Sequence, residues 1–292
     1  MSVSVARPSS AQLTRRKFIL GSGVAAAGLA LYSGAIARHE IDLVNTTVRI
    51  ANLPSAFHGF RIVQISDIHL DEFTEPFFLE HVVRRINELN PDLVLVTGDF
   101  VTRGSLTFLD SRHAAYRCAE ILSTLKTPQV YTILGNHDVG VSAPLVIEAL
   151  RSTKIPVLVN EHIPIERGGS RFWLCGADDA GTRHPDLDLT IPEKPDGPVI
   201  LMVHEPDYAD VVVQHPRGSL VDIMLSGHSH GGQVRIPFYG PLILPPMGQK
   251  YVMGHFQFGN MQLYVNRGLG AVGLPFRFDC PPELTVHTLQ PA

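Results

Sequence analysis

Apolar residues along this chain fall in short, nearly unbroken runs, and each run ends on a polar cluster of Gly, Asp, Asn or His. Residues 60–65 lead into Ser66, Asp67, Ile68 and His69, and residues 93–96 lead into Thr97, Gly98 and Asp99. Residues 130–134 meet Gly135, Asn136, His137 and Asp138; residues 199–203 meet His204; residues 221–225 meet Ser226, Gly227 and His228. Aliphatic runs of this length describe strands covered on both faces. Between them the period changes to that of a helix. Phe78, Leu79, Val82, Val83, Ile86 and Leu89 share one face, with Thr74 read as the cap and Pro76 in the first turn. Ala115, Cys118, Ala119 and Leu122 repeat the spacing, and Leu145, Ala149 and Leu150 give a shorter helix. Strand and helix in alternation predict an α/β fold. Gly168-Gly169 parts two short runs into a hairpin, residues 283–289 alternate as a late strand, and helical patterns thin out in the second half. No linker or repeat interrupts residues 38–292, which read as one domain.

Residues 1–37 carry a different pattern. Arg15, Arg16 and Lys17 precede a Gly/Ala-rich apolar stretch that ends in Ala35-Ile36-Ala37. A basic start, an apolar middle and small residues at the end make a secretory signal. The arginine pair, with Phe18 two residues beyond Arg16, resembles a twin-arginine export signal. The stretch is also long enough to remain as a membrane anchor. The expectation is export through the twin-arginine machinery, to the periplasm or the outer face of the cytoplasmic membrane.

Charge and cysteine usage narrow the partners. The chain has 24 basic and 28 acidic residues, a net charge of −4, and the N-terminal segment holds four of the basic residues and none of the acidic ones. Nucleic acid, which needs a basic surface, is not an expected partner. Cys118, Cys175 and Cys280 are too few for a disulfide framework and read as buried thiols, with at most one bridge. The 14 histidines are more than a core needs, and several of them sit in the polar clusters at the strand ends.

Those clusters carry the chemistry. In open α/β sheets, sites form at the carboxyl ends of strands, so residues distant in sequence converge there. Asp67 and His69 are two apart, as are His228 and His230, and an extended backbone would point each pair one way. Asp99 follows Gly98, which lets the backbone approach closely; a carboxylate there can bridge two ions. The order D-x-H, G-D, G-N-H-D, H, G-H-x-H over residues 60–233 resembles the calcineurin-like metallophosphoesterases. The resemblance implies a four-layer α/β/β/α sandwich holding two divalent metal ions. One ion would be held by Asp67, His69, Asp99 and His230, the other by Asp99, Asn136, His204 and His228. His137 would lie beside the ions and act on the leaving group or phosphoryl oxygens, with Asp138 orienting its ring. Two ions cancel the charge of a phosphate ester and make a nucleophile from water at neutral pH. Mixed Asp/Asn/His ligation suits Mn²⁺, Zn²⁺ or Fe. Export of an already folded chain would fill the site before zinc competes, which favours Mn²⁺.

The substrate is less sharply written. Arg103, four residues past Asp99, resembles a phosphate-binding arginine of the Ser/Thr phosphatase branch, although Thr102 departs from that branch's Asp. The segment Asn266-Arg267-Gly268-Leu269-Gly270 resembles a bacterial subgroup of exported or membrane-associated phosphodiesterases, some acting on pyrophosphate bonds of nucleotide-linked lipids; Arg267 is its candidate phosphate ligand. A phosphomonoesterase, or an exported metal-binding protein without catalysis, are the other readings. The Pro-rich apolar stretch 236–247 is either a packed loop or a surface for lipid, and Asp178, Asp179 and His184 are further candidates for substrate contact.

Overall fold

The computed structural model describes residues 14–70, 73–104, 110–183 and 185–292. Its strands form two sheets. The first has the order β1 (Asp42–Ile50), β13 (Glu283–Pro291), β2 (Arg61–Ile65), β3 (Leu93–Val96) and β4 (Val130–Thr132). The second runs β11 (Gly254–Phe258), β12 (Met261–Val265), β8 (Ile223–Ser226), β7 (Val199–Met202), β6 (Ser170–Gly176) and β5 (Glu161–Arg167). Strands β2, β3 and β4 are parallel, as are β12, β8, β7 and β6, while β13 lies antiparallel to β2. A short pair, β9 (Arg235–Ile236) and β10 (Gly240–Pro241), stands apart.

The burial explains why the strands read as unbroken apolar runs. In β2 and β3, Ile62, Leu93 and Leu95 fill the space between the sheets, while Val63, Ile65, Val94 and Val96 face helices. Those helices are α2 (Pro76–Leu89), α3 (Ser111–Leu122) and α4 (Asn136–Ser152). In β7, Ile200 and Met202 face the other sheet, and Val199 and Leu201 pack against the side of α5 (Leu187–Thr190) and α6 (Ala209–Gln214). Both faces of each central strand are therefore dry. The result is the expected α/β/β/α sandwich.

Local details differ from expectation in physical ways. The N-cap of α2 is Glu75, in extended conformation, with Pro76 as the first helical residue, one position beyond the expected cap. Asp110 caps α3, accepting from the Arg112 N–H at 3.1 Å. The hairpin β5–β6 turns at Gly168 and Gly169, both with positive φ (58° and 76°), as a tight two-residue connection requires. Among the described residues no disulfide forms, and all three cysteines are buried.

At the N-terminus, α1 (Arg15–Leu31) continues through two further helical turns to His39, and the whole is long and apolar enough to cross a bilayer. A signal sequence has the same properties. The helix is exposed, but its exit is not, since Ser33 and Ala37 are buried. Arg38 bonds Phe73 O and Glu75, and His39 Nε2 lies 2.9 Å from Glu75. Ser33 and Ala37, with Arg38 and His39 just beyond them, thus tie the end of this helix to the domain.

Candidate metal centre

All the chemistry-bearing clusters leave the carboxyl ends of parallel strands, which brings them to one rim. Asp67 and His69 follow β2, Asp99 follows β3, His204 follows β7, and His228 and His230 follow β8. Asn136 and His137 open α4, directly after Gly135. The alternate pairs do not converge by extended backbone. Asp67, His69, Asp99, His228 and His230 all have positive φ, from 49° to 70°. Each strand exit turns at once, and the turns are tied together: Ile68 and His69 N–H both donate to Asp99 O, at 2.7 and 3.1 Å. Five non-glycine residues in a sparsely populated region are tolerated where the surrounding structure over-determines them. Gly98 shows why no side chain fits there. A Cβ would lie 2.7 Å from the Gly135 nitrogen and from His204 Nδ1.

Two trios of ligand atoms result, Asp67/His69/His230 and Asp99/His204/His228, each within 4.8 Å and buried. Asp99 Oδ2 lies between them, 3.1 Å from His204 Nε2 and 3.6 Å from His69 Nε2. His230 Nε2 is 3.4 Å from Asp67 Oδ1. Asn136 belongs to the same rim and lines the cavity beside Asp99 and His228.

The donor atoms fit divalent cations. His69 Nε2, His204 Nε2 and Asn136 Oδ1 are buried with no hydrogen-bond partner among the described residues. Buried polar atoms are rarely left so without a reason. The opposite ring nitrogens are held: His204 Nδ1 by Thr97 O at 2.6 Å, His69 Nδ1 by the Thr102 hydroxyl at 3.0 Å. A carbonyl only accepts, so Nδ1 of His204 carries a proton, and Nε2 is the ring atom that faces the carboxylates. His228 is reversed, with Nε2 bound to Pro246 O at 2.8 Å, leaving Nδ1 for the centre. Electrostatics agree. Burial drives His69 and His230 well below the ordinary histidine value, with Arg277 adding to the effect on His230. At His204 burial opposes a proton, yet Asp99 outweighs it and raises the value well above normal. Burial likewise disfavours the Asp99 anion, which His204 and His69 nevertheless hold well below the carboxylate range. The position between these groups attracts positive charge.

Asp138 does not orient His137. Its carboxylate accepts from the N–H groups of Asp99 (2.8 Å), Phe100 (2.9 Å), Val101 (3.3 Å) and Gly135 (3.0 Å). At the third position of α4 an acidic side chain folds back onto the N-cap, and here it also fastens the Asp99 loop. His137 is set by a different group, the Arg103 N–H, which donates to Nδ1 at 3.0 Å. Its ring stands edge-on to His69 with centroids 4.9 Å apart. Arg103 is exposed, and its side chain runs over Gly140. Arg267 is not available to a phosphate. Its guanidinium pairs with Glu283 and, at 2.6 Å, with Asp42, which the parallel register of β1 and β13 sets side by side. Asp179 holds a turn, accepting from the Thr182 N–H at 2.8 Å, and Asp178 pairs with Arg183 at 3.0 Å. His184 lies outside the described residues.

Beside the ligands opens a cavity of about 490 Å³. Asp99, Asn136, His137, His228 and His230 form one wall, and Leu242, Ile243, Pro245, Val272 and Leu274 another. Residues 60–232 of the chain match the calcineurin-like phosphoesterase profile. The chain belongs to the calcineurin-like phosphoesterases. It is 36% identical over 290 residues to the metallophosphoesterase YkuE of Bacillus subtilis, covering 96% of this chain and 98% of the relative. The phosphodiesterase YaeI of Escherichia coli is 31% identical, over 79% of this chain and 82% of its own. The UDP-2,3-diacylglucosamine pyrophosphatase LpxG of Chlamydia trachomatis is 28% identical, over 84% and 89%. A solved 5′-nucleotidase precursor from Thermus thermophilus superposes with a TM-score of 0.46 at 13% identity, over 79% of this chain and 54% of that one. As a calcineurin-like phosphoesterase the protein is a metal-dependent hydrolase of phosphoric esters with a dinuclear centre.

Several residues of this centre are silent in the sequence: Thr97 and Pro246 act through backbone carbonyls, Thr102 through a hydroxyl, and Arg277 through a buried guanidinium. Only Arg277, an arginine in an otherwise apolar stretch, offers a signal that could have been read.

Proposed function

We propose that the protein is a phosphodiesterase or pyrophosphatase of the cell envelope whose substrate carries an acyl chain. The observation that supports this is the cavity itself, which sets an aliphatic wall directly against the metal-facing side chains. An apolar wall is unsuited to a small, fully charged monoester and suited to a lipid beside its phosphate. The name of the relative LpxG supports the same class of substrate. In this reading Asp67, His69, Asp99 and His230 hold one ion, and Asp99, Asn136, His204 and His228 the other; Mn²⁺ is the proposed metal. When bound, the two ions neutralise the phosphoryl oxygens and supply a nucleophile from water.

The chain's own contribution is positional and protic. Asp99 keeps Oδ2 for the centre because Oδ1 takes the His137 N–H at 2.9 Å. The Arg103 N–H donates to His137 Nδ1, so the neutral ring keeps its proton on Nε2, where it donates a hydrogen bond to a phosphoryl or leaving-group oxygen. Export by the twin-arginine route and retention of residues 1–37 as an anchor complete the proposal, with residues 38–292 as the catalytic domain. Phe238, Tyr239 and Ile243, all exposed on the 236–247 segment, then meet the membrane surface.

The test compares UDP-2,3-diacylglucosamine, UDP-N-acetylglucosamine and p-nitrophenyl phosphate as substrates of the Mn²⁺-loaded full chain in detergent. The acylated compound should be cleaved best, and equal rates on all three would reject the lipid-linked reading. His137→Ala should lower kcat by about 10²–10⁴-fold while both ions stay bound. The deficit should shrink for esters whose leaving group needs no proton.

A further inference from the structure

Arg277 has no part in the reading above, yet it is fully buried and forms no ion pair among the described residues. Burying a guanidinium without a carboxylate is costly unless its nitrogens find acceptors. Here each of the three does. Nε donates to Gly270 O at 3.0 Å and Nη1 to Cys280 O at 3.0 Å. Nη2 reaches Gly270 O (2.6 Å), Arg267 O (2.9 Å), Gly268 O (3.2 Å) and His230 Nδ1 (3.4 Å). The carbonyls belong mostly to one short segment, 267–270, and that segment is the wall behind Asp67. Gly270 N–H donates to Asp67 O at 2.7 Å, and a Cβ on Gly268 would fall 2.6 Å from Asp67 Cβ. One side chain thus braces the wall behind Asp67 and stands against the ring of His230, two of the three residues in the Asp67/His69/His230 trio. The backbone of Arg277 is fixed from the other side, because its N–H donates to Ser33 O at 3.1 Å. Gly34 packs on Phe276 with no room to spare, since a Cβ would stand 3.1 Å from the ring.

We propose that Arg277 is a positioning residue for the ion at Asp67, His69 and His230, and that the docked exit of the N-terminal helix holds Arg277 in place. The inference rests on the two-ion reading but not on any particular substrate. A planar fork of five donors does this work; a point charge of three does not. The helix exit is therefore part of the support of the metal centre as well as a tether.

The test is Mn²⁺ titration of the chelator-stripped full chain in detergent, with metal content per chain and thermal unfolding measured alongside. Arg277→Met should weaken one ion by about 10–100-fold, the range for losing a group that orients a ligand, and leave the other unchanged. Arg277→Lys should resemble Arg277→Met, because it keeps the charge and loses the fork. Gly34→Val, remote from every ligand, should weaken the same ion by a smaller factor. Both ions retained at wild-type affinity in Arg277→Met, or both weakened together, overturns the positioning role. If Arg277→Met does not fold, unchanged affinities in Arg277→Lys and Gly34→Val overturn it instead. Two ions bound without hydrolysis of any ester would sink the proposed function and leave this inference standing.

Discussion

The two sides of the metal centre are built from the same residue types but are backed by different chemistry. His204 and His228 lean on carbonyl oxygens, Thr97 O and Pro246 O. His69 leans on a hydroxyl, and His230 on the guanidinium of Arg277. A carbonyl behind an imidazole fixes the proton on the nitrogen it touches and makes the opposite nitrogen, which faces the centre, a better ligand. A hydroxyl can take either role, and a guanidinium can only donate. The difference predicts two unequal ions, the tighter one at Asp99, His204 and His228. Asp99 is the exception to the division, since its Oδ2 faces imidazoles of both sides.

That exception gives the largest expected effect. Asp99→Ala removes the carboxylate that faces imidazoles of both trios, so both ions should be lost together and hydrolysis of bis-p-nitrophenyl phosphate should fall to the level of stripped protein. Metal analysis showing one ion retained at full affinity would mean that the two sides do not share this group. A smaller change should separate the sides. Thr102→Val deletes the hydroxyl behind His69 without altering a ligand, and should weaken the looser ion by about tenfold, at the low end for such partners. Equal weakening of both steps in a Mn²⁺ titration would contradict the comparison.

How much of this was legible follows from where each group gets its environment. Asp67, His69, Asp99, Asn136, His204, His228 and His230 stand out because each ends an apolar run, and parallel strands carry their ends to one rim. The α/β class was readable for the same reason, from runs too continuous for a one-sided sheet, while the four-layer sandwich was implied by the resemblance alone. The backbone that aims the ligands was not. Positive φ at Asp67 or His230 is imposed by neighbouring turns such as the Asp99 carbonyl, which no local pattern records. Arg267 and Arg277 lie ten residues apart in similar company, and only the pairing of β1 with β13 decides that the first meets Asp42 and Glu283. Asp138 was misjudged because sequence adjacency to His137 weighs more in reading than the helix start that folds its side chain backwards.

The smallest expected effect uses a buried imidazole with no metal role as the reference for the others. His287 is as buried as His204 and His69, but both its nitrogens are satisfied, by Thr46 Oγ1 at 2.7 Å and Gln64 Oε1 at 3.0 Å. The ligand histidines leave one nitrogen open; this one leaves none, which is why it needs no cation. Burial, with a small contribution from His255, pushes its pKa down to about 3, from an ordinary value of about 6.5. The folded chain then binds this proton less readily than the unfolded chain. Its contribution to stability is whole above about pH 6.5 and is lost as the pH falls towards 3, at up to about 1.4 kcal/mol per pH unit between those values. His287→Gln keeps a polar side chain at that position and removes the titration. Urea unfolding of metal-free wild type and variant at pH 7 and pH 5 should therefore show a smaller acid loss in the variant, and the same loss in both would mean that His287 is protonated without cost in the fold.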